Sequence, residues 1–244
     1  MQTALGIVLS TASKTQLAGV FGSFGWSGEA IDLLEQKLKD GGYSLAFEPI
    51  RVKFKPDEVT LKYCEEIGTD FAQALKKAKK AKQPRTPASA IEQAVGRIVG
   101  SLSIVTASQG ELSSAMVASW ISQASFTPPG FTVAVAKDRA IEALLYPGRS
   151  FVLNILAEGK HLGAMKHFLK PFAPGEDRFA GIETTPASNG APILSEAIAY
   201  LECQVGERME CGDHWLVYAT VEAGRVLDGE AKTAVHYRQT GTHY

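Results

Sequence analysis

One stretch constrains this chain more than any other: Gln73–Pro87, QALKKAKKAKQPRTP, where a lysine-rich helix end runs into two prolines. Lysines favour water and proline ends a helix, so the stretch marks a domain boundary. A run of this kind can dock an acidic partner, but a solvated helix end leading into a linker is the simpler reading. The expected division is residues 1–82, a linker at 83–90, and a second domain at 91–244.

The two sides differ in texture. Before the boundary, Leu17–Phe21 reads as a buried strand and Ser27–Lys39 as an amphipathic helix closed by Gly41–Gly42. Leu45–Val52 reads as a second strand and Pro56–Ala81 as a long helix. This βαβα alternation implies parallel strands with helical crossovers, and it places GSFGWSGEA at the carboxyl edge of the sheet, where open α/β folds bind ligands. Two strands are too few for a stable open sheet.

After the boundary, strand-like segments dominate: Ile98–Ala107, Ser113–Phe126, Phe131–Lys137, Ser150–Leu156, Ala197–Cys211 and His214–Leu227. Short helices are expected at Ala140–Tyr146 and Lys160–Leu169. Short turns at Gln109–Gly110, Pro128–Gly130 and Cys211–Asp213 suit antiparallel neighbours and a Greek-key barrel. The fold class is therefore an α/β segment followed by a mainly antiparallel β barrel.

Composition removes several function classes. A net charge of −1 gives no electrostatic footprint for nucleic acid or an anionic membrane. No window approaches the roughly 18 apolar residues of a membrane span. Cys64, Cys203 and Cys211 lack metal-site spacing, so unpaired thiols in a reducing, cytoplasmic compartment are expected.

Eight pieces of the second segment, in order, resemble the flavin reductase family, which includes the FMN reductase components of two-component monooxygenases. They are SLSIVTA (Ser101–Ala107), SSAMVASWISQASFTPPGFTVAV (Ser113–Val135), FVLNIL (Phe151–Leu156), DRF (Asp177–Phe179), GAPIL (Gly190–Leu194), YLECQV (Tyr200–Val205), GDHWLVYATV (Gly212–Val221) and HYRQTGTHY (His236–Tyr244). The resemblance implies a split-barrel domain that passes hydride from NAD(P)H to FMN, the hydride chemistry being the cofactor's own. Split barrels commonly pair, so a homodimer or hetero-oligomer is implied too.

The resemblance also implies a site. Met116, Val117, Ala118, Ser119 and Trp120 would line the flavin pocket. Lys137, Asp138 and Arg139 open a predicted helix, whose charges and free N–H groups suit a flavin phosphate. Asn154 sits in an apolar strand, so it should face a polar ligand edge or cap a neighbouring backbone group. His214 corresponds to the histidine this family places beside the nicotinamide, with a positioning rather than proton-transfer role. His161 and His167 read as surface or pocket-rim residues, not metal ligands, and the HYRQTGTHY segment as structural closure or a pocket edge.

The N-terminal segment Val20–Leu34, VFGSFGWSGEAIDLL, resembles the flavodoxin domain of flavodiiron proteins, with Ser23, Phe24, Gly25 and Trp26 in the loop that contacts the FMN ring. Flavodoxin, linker, flavin reductase is the order of the class C flavodiiron proteins of cyanobacteria, which the resemblance implies are self-contained NAD(P)H:oxygen oxidoreductases. Two departures stand out. No cluster of iron ligands is found among the five histidines. The phosphate loop of a flavodoxin is also missing, so Ala4–Ala81 is expected to be half of that domain and the chain a fragment. The competing reading is a non-catalytic flavin-binding or dimerisation module that lacks its electron acceptor.

Overall fold

The structure is a computed structural model that describes residues 2–13, 15–80 and 87–241. Residues 83–86 of the expected linker, and His243 and Tyr244 of the C-terminal motif, lie outside the described residues. The chain divides into two compact units: Met1–Ala74 with Phe172–Glu176, and Leu75–Pro171 with Asp177–Tyr244.

In the first unit the order is α1 (Gln2–Thr11), β1 (Leu17–Ala18), β2 (Phe21–Phe24), α2 (Glu29–Asp40), β3 (Ser44–Leu45), β4 (Ile50–Lys53) and α3 (Glu58–Lys80), whose residues from Leu75 onward are counted with the second unit. β1 pairs with β3 and β2 with β4, both parallel. The predicted strands at Leu17–Phe21 and Leu45–Val52 are thus each broken in two. At the break the Phe47 ring fills the space where a side chain on Gly19 would stand. α1 was not foreseen; the Tyr43 hydroxyl anchors it by donating to the carbonyls of Val8 and Ala12 at 3.1 and 2.8 Å. Val20, Ile31, Leu38 and Tyr43 form the core of this unit.

In the second unit α4 (Ala90–Val95) leads into β5 (Gly100–Ser101), β6 (Ser103–Gln109), β7 (Leu112–Ala118), β8 (Ile121–Phe126) and β9 (Pro129–Ala136). A 3₁₀ turn (Ala140–Leu144), β10 (Ser150–Leu156), α5 (Leu162–Leu169), β11 (Thr184–Pro186) and β12 (Pro192–Leu194) follow. The chain closes with β13 (Ala197–Cys211), β14 (His214–Val226) and β15 (Val235–His236). Seven strands form one antiparallel sheet in the order β7-β6-β10-β13-β14-β9-β8. Its two edge strands, β7 and β8, are consecutive in sequence and are joined only by Ser119 and Trp120.

Alternation along the strands builds the core. Val105 and Ala107, Met116 and Ala118, Phe131, Val133 and Val135, Phe151 and Leu153, Cys203 and Val205, and Val217 and Ala219 all turn one way and meet in a single cluster. The opposite faces of β6 and β10 are covered by the β11–β12 hairpin, with Val152 packed against Ala187, Ala191 and Ile193. The opposite face of β9 and β14 carries Thr132, Ala134, Ala136, His214, Leu216, Tyr218 and Thr220, all half-buried. Among the described residues no helix is long and apolar enough to cross a membrane.

Candidate functional site

The hairpin β13–β14 turns through Gly212 and Asp213, with Gly212 at φ 62°. Only glycine adopts this first position of a two-residue hairpin turn without strain. The turn delivers His214 to the face away from the core. Its Nδ1 lies 2.7 Å from Asp213 Oδ1, a bond that holds the Asp213 carboxyl below its ordinary value. In a neutral ring with Nδ1 donating to that carboxylate, Nε2 is the acceptor. The imidazole lies against Trp120, with ring centroids 4.9 Å apart and planes inclined by 34°.

The other face of the same hairpin fixes the turn. Trp215 has the Arg208 guanidinium 4.3 Å and the Lys137 ammonium 4.9 Å from its ring centre. Lys137 also pairs with Glu210, Arg208 with Glu142, and Lys137 N donates to the Asp213 carbonyl at 2.9 Å. These contacts hold the approach of β9 to the turn from which His214 projects.

Trp120 and Ser119 belong to the seam between β7 and β8. Gly100 passes so close that a Cβ on it would lie 1.9 Å from the Ser119 carbonyl oxygen. β15 pairs with β5 through His236 and Gly100, which brings His236 Nδ1 to 3.3 Å from Ser119 Oγ. Burial, then the charges of Arg238 and His161, holds the His236 ring toward its neutral form. Arg238 stands 4.8 Å from the Trp120 ring centre.

Sequence reasoning identified His214, Ser119 and Trp120, and the structure brings these three residues together. The other expected residues are engaged within the protein. Met116 and Ala118 turn into the core and Val117 is buried on the opposite face of β7, because strand alternation leaves no side chain of this run free for a ligand. Lys137 is directed to Glu210 and Trp215, on the face opposite His214. Asp138 pairs with Lys76 at 3.6 Å. The predicted helix after Arg139 is a five-residue 3₁₀ turn, and ahead of it the amides of Lys137 and Arg139 are already bonded to the carbonyls of Asp213 and Ala136.

Asn154 is 0% exposed and fully used inside the protein. Its amide donates to Ile104 O, Thr106 Oγ1 and Pro192 O at 3.2, 3.2 and 3.4 Å, and its oxygen accepts from Leu194 N at 2.9 Å. Of the two roles expected, it takes that of backbone cap: it ties the β11–β12 hairpin to the sheet instead of meeting a ligand. In the first unit Phe24 packs into the core, whereas Ser23 and Gly25 are exposed and Trp26 is 92% exposed. His236 and Arg238 were missed as site residues; only their place in a C-terminal motif hinted at them, since their approach to Trp120 is made by the β15–β5 pairing.

His161 Nδ1 lies 3.2 Å from the Ala157 carbonyl and His167 Nε2 2.7 Å from that of Arg178. Among the described residues no group of three or more His, Cys, Asp or Glu side chains is placed to hold a metal ion. The Cys203 thiol lies in the core, where burial pushes its pKa up.

The profile of the flavin reductase like domain matches residues 95–243. The chain belongs to the flavin reductase-like family. The flavin reductase-like domain therefore binds flavin, uses a nicotinamide donor and is an NAD(P)H-dependent flavin oxidoreductase. Over its whole length the chain is 68% identical to a diflavin flavoprotein A of Nostoc sp., of which it covers 43%. It is 54% identical to diflavin flavoprotein A 1 of Synechocystis sp., again covering all of this chain and 43% of that protein. The chain thus spans less than half the length of these curated relatives, and they bear out the resemblance to the flavin reductase part of cyanobacterial flavodiiron proteins. The fold is also that of an NADH:FAD oxidoreductase of Streptomyces globisporus, at TM-score 0.56 and 23% identity, over 64% of this chain and 94% of that one.

Proposed function

We propose that this domain is the electron-input module of a flavodiiron-type NAD(P)H:oxygen oxidoreductase, working with FMN. The observation that carries the reading is the His214–Trp120 pair, 4.9 Å apart at the seam of the sheet. Beside it the outward face of β9 and β14 offers Thr132, Ala134 and Ala136, whose small, half-buried side chains leave room for a flat ring. This donor set suits a flavin, because hydride transfer between two ring systems needs orientation and exclusion of water rather than a general base. The chemistry FMN would supply there is hydride acceptance and onward transfer of one or two electrons.

The chain's own residues do the positioning. His214 Nε2 would accept an N–H of a nicotinamide carboxamide, with Asp213 holding the tautomer. Trp120 screens the seam from water, and the backbone of Ser119 and Trp120 borders the ring. In the first unit, the exposed Trp26 and Phe54 at the ends of β2 and β4 support a half flavodoxin-like segment whose Ser23–Trp26 loop meets a second flavin ring.

The purified chain with FMN should show flavin absorbance that bleaches when NADH or NADPH is added without oxygen. Bound flavin that is not bleached would leave only a binding module. One flavin per chain assigns binding to the reductase half alone, whereas two would include the Ser23–Trp26 loop. Self-association is part of the same proposal, supported by exposed apolar residues such as Ile91, 77% exposed, and Tyr237, 79% exposed. Equilibrium sedimentation that returned the mass of one chain at every concentration would remove it.

A further inference from the structure

Arg238 is 8% exposed, yet among the described residues it makes no ion pair. One N–H donates to the Ile98 carbonyl at 3.3 Å, and the guanidinium lies 4.8 Å from the Trp120 ring centre. A guanidinium carries five N–H donors in a planar fork, so a single long bond leaves most of that capacity unused. Burying such a cation is costly unless an anion or several acceptors compensate it. The carboxylate of Asp213 is bonded to His214. His236, beside Ser119 Oγ at 3.3 Å, adds a ring nitrogen to the same region. Arg238 and His214 thus both border Trp120, the first without an ion pair among the described residues, the second paired with Asp213.

We propose that Arg238, assisted by His236, forms an anion subsite that takes a phosphate group of the nucleotide bound beside Trp120. The fork geometry suits two oxygens of one phosphate, which Lys in the same place would not match. Flavin nucleotides and pyridine nucleotides both bring this chemistry. The inference rests on the reading of the Trp120–His214 region as the flavin and nicotinamide site.

Two arms of one experiment identify the source. In the first, dissociation constants of FMN and riboflavin are compared between the wild-type chain and Arg238→Gln, with Arg238→Lys as the charge-preserving control. A loss of about tenfold for FMN with riboflavin unchanged assigns the subsite to the flavin phosphate, about 1.4 kcal/mol at that ratio. In the second, KM values for NADH and NADPH are measured; a rise of about tenfold with kcat and FMN binding kept assigns it to the pyridine nucleotide.

Because Arg238→Gln can fail to fold, inorganic pyrophosphate is tested as a competitor on the wild-type chain, against sodium chloride at equal ionic strength. Competition with either nucleotide supports the subsite. No competition by pyrophosphate, or equal losses of FMN and riboflavin in a folded variant, overturns it. A wild-type chain that turns over normally while both arms stay flat sinks this inference alone. One that binds neither flavin nor pyridine nucleotide sinks the proposed function with it.

Discussion

Gly100→Ala is expected to destabilise the flavin reductase-like domain by about 3 kcal/mol or more and to abolish flavin binding. The added methyl would lie 1.9 Å from the Ser119 carbonyl oxygen, and the obstacle is backbone, not the end of a flexible side chain. Either β5 or the β7–β8 seam must move. If β5 moves, its pairing with Val235 and His236 opens; if the seam moves, Ser119 and Trp120 leave the site. For a chain of this size the stability loss corresponds to a fall in melting temperature of roughly 10 °C, readable by calorimetry. Gly68→Ala serves as the control, because nothing stands within 4 Å of its added methyl. A Gly100→Ala chain that melts and binds flavin like wild type would show that the close approach is not a constraint.

His214→Ala should slow reduction of bound flavin by NAD(P)H roughly 10- to 100-fold, the worth of one hydrogen bond that orients the donor. Flavin affinity should change little, since the imidazole meets Trp120 and Asp213 and no step asks it to hold the flavin phosphate. Stopped-flow bleaching under anaerobic conditions separates the two quantities. Restoration by His214→Asn or His214→Gln, which keep an acceptor without a titratable ring, would distinguish positioning from proton transfer. An unchanged bleaching rate in His214→Ala would remove the histidine from the site.

Much of the barrel could be read from the chain because its strands carry local signals. β10 and β13 match the sequence reading at both ends, and the turn at Gly212–Asp213 is written in its glycine. Ser113–Phe126 reads as one strand because no Gly, Pro or other turn signal interrupts it. The break at Ser119–Trp120 lies against Gly100, near in space and not in sequence, and no local propensity encodes it. The same holds for Lys137, whose partner Glu210 lies on another strand, and for Arg238, brought to Trp120 by β15. Asn154 shows the opposite limit: its buried polar group was correctly taken as demanding partners, but a backbone hairpin supplies them. In the first unit Leu17–Phe21 looks like one buried strand, although Phe21 is exposed and the ladder breaks around Gly19.

The sheet order has a consequence for how such a domain can change over time. Its six neighbouring strand pairs fix the architecture, and none of them is the pair β7 and β8. The Trp120 carbonyl still accepts from Ala134 N at 3.0 Å, but the side chains of the two residues that join those edges answer to what they border. Drift in the ladders is tolerated wherever alternation of core and outward residues survives, and the fold persists without the chemistry. Changes at the seam reverse this: they spare the architecture and redirect which ring, and which phosphate, the barrel will accept.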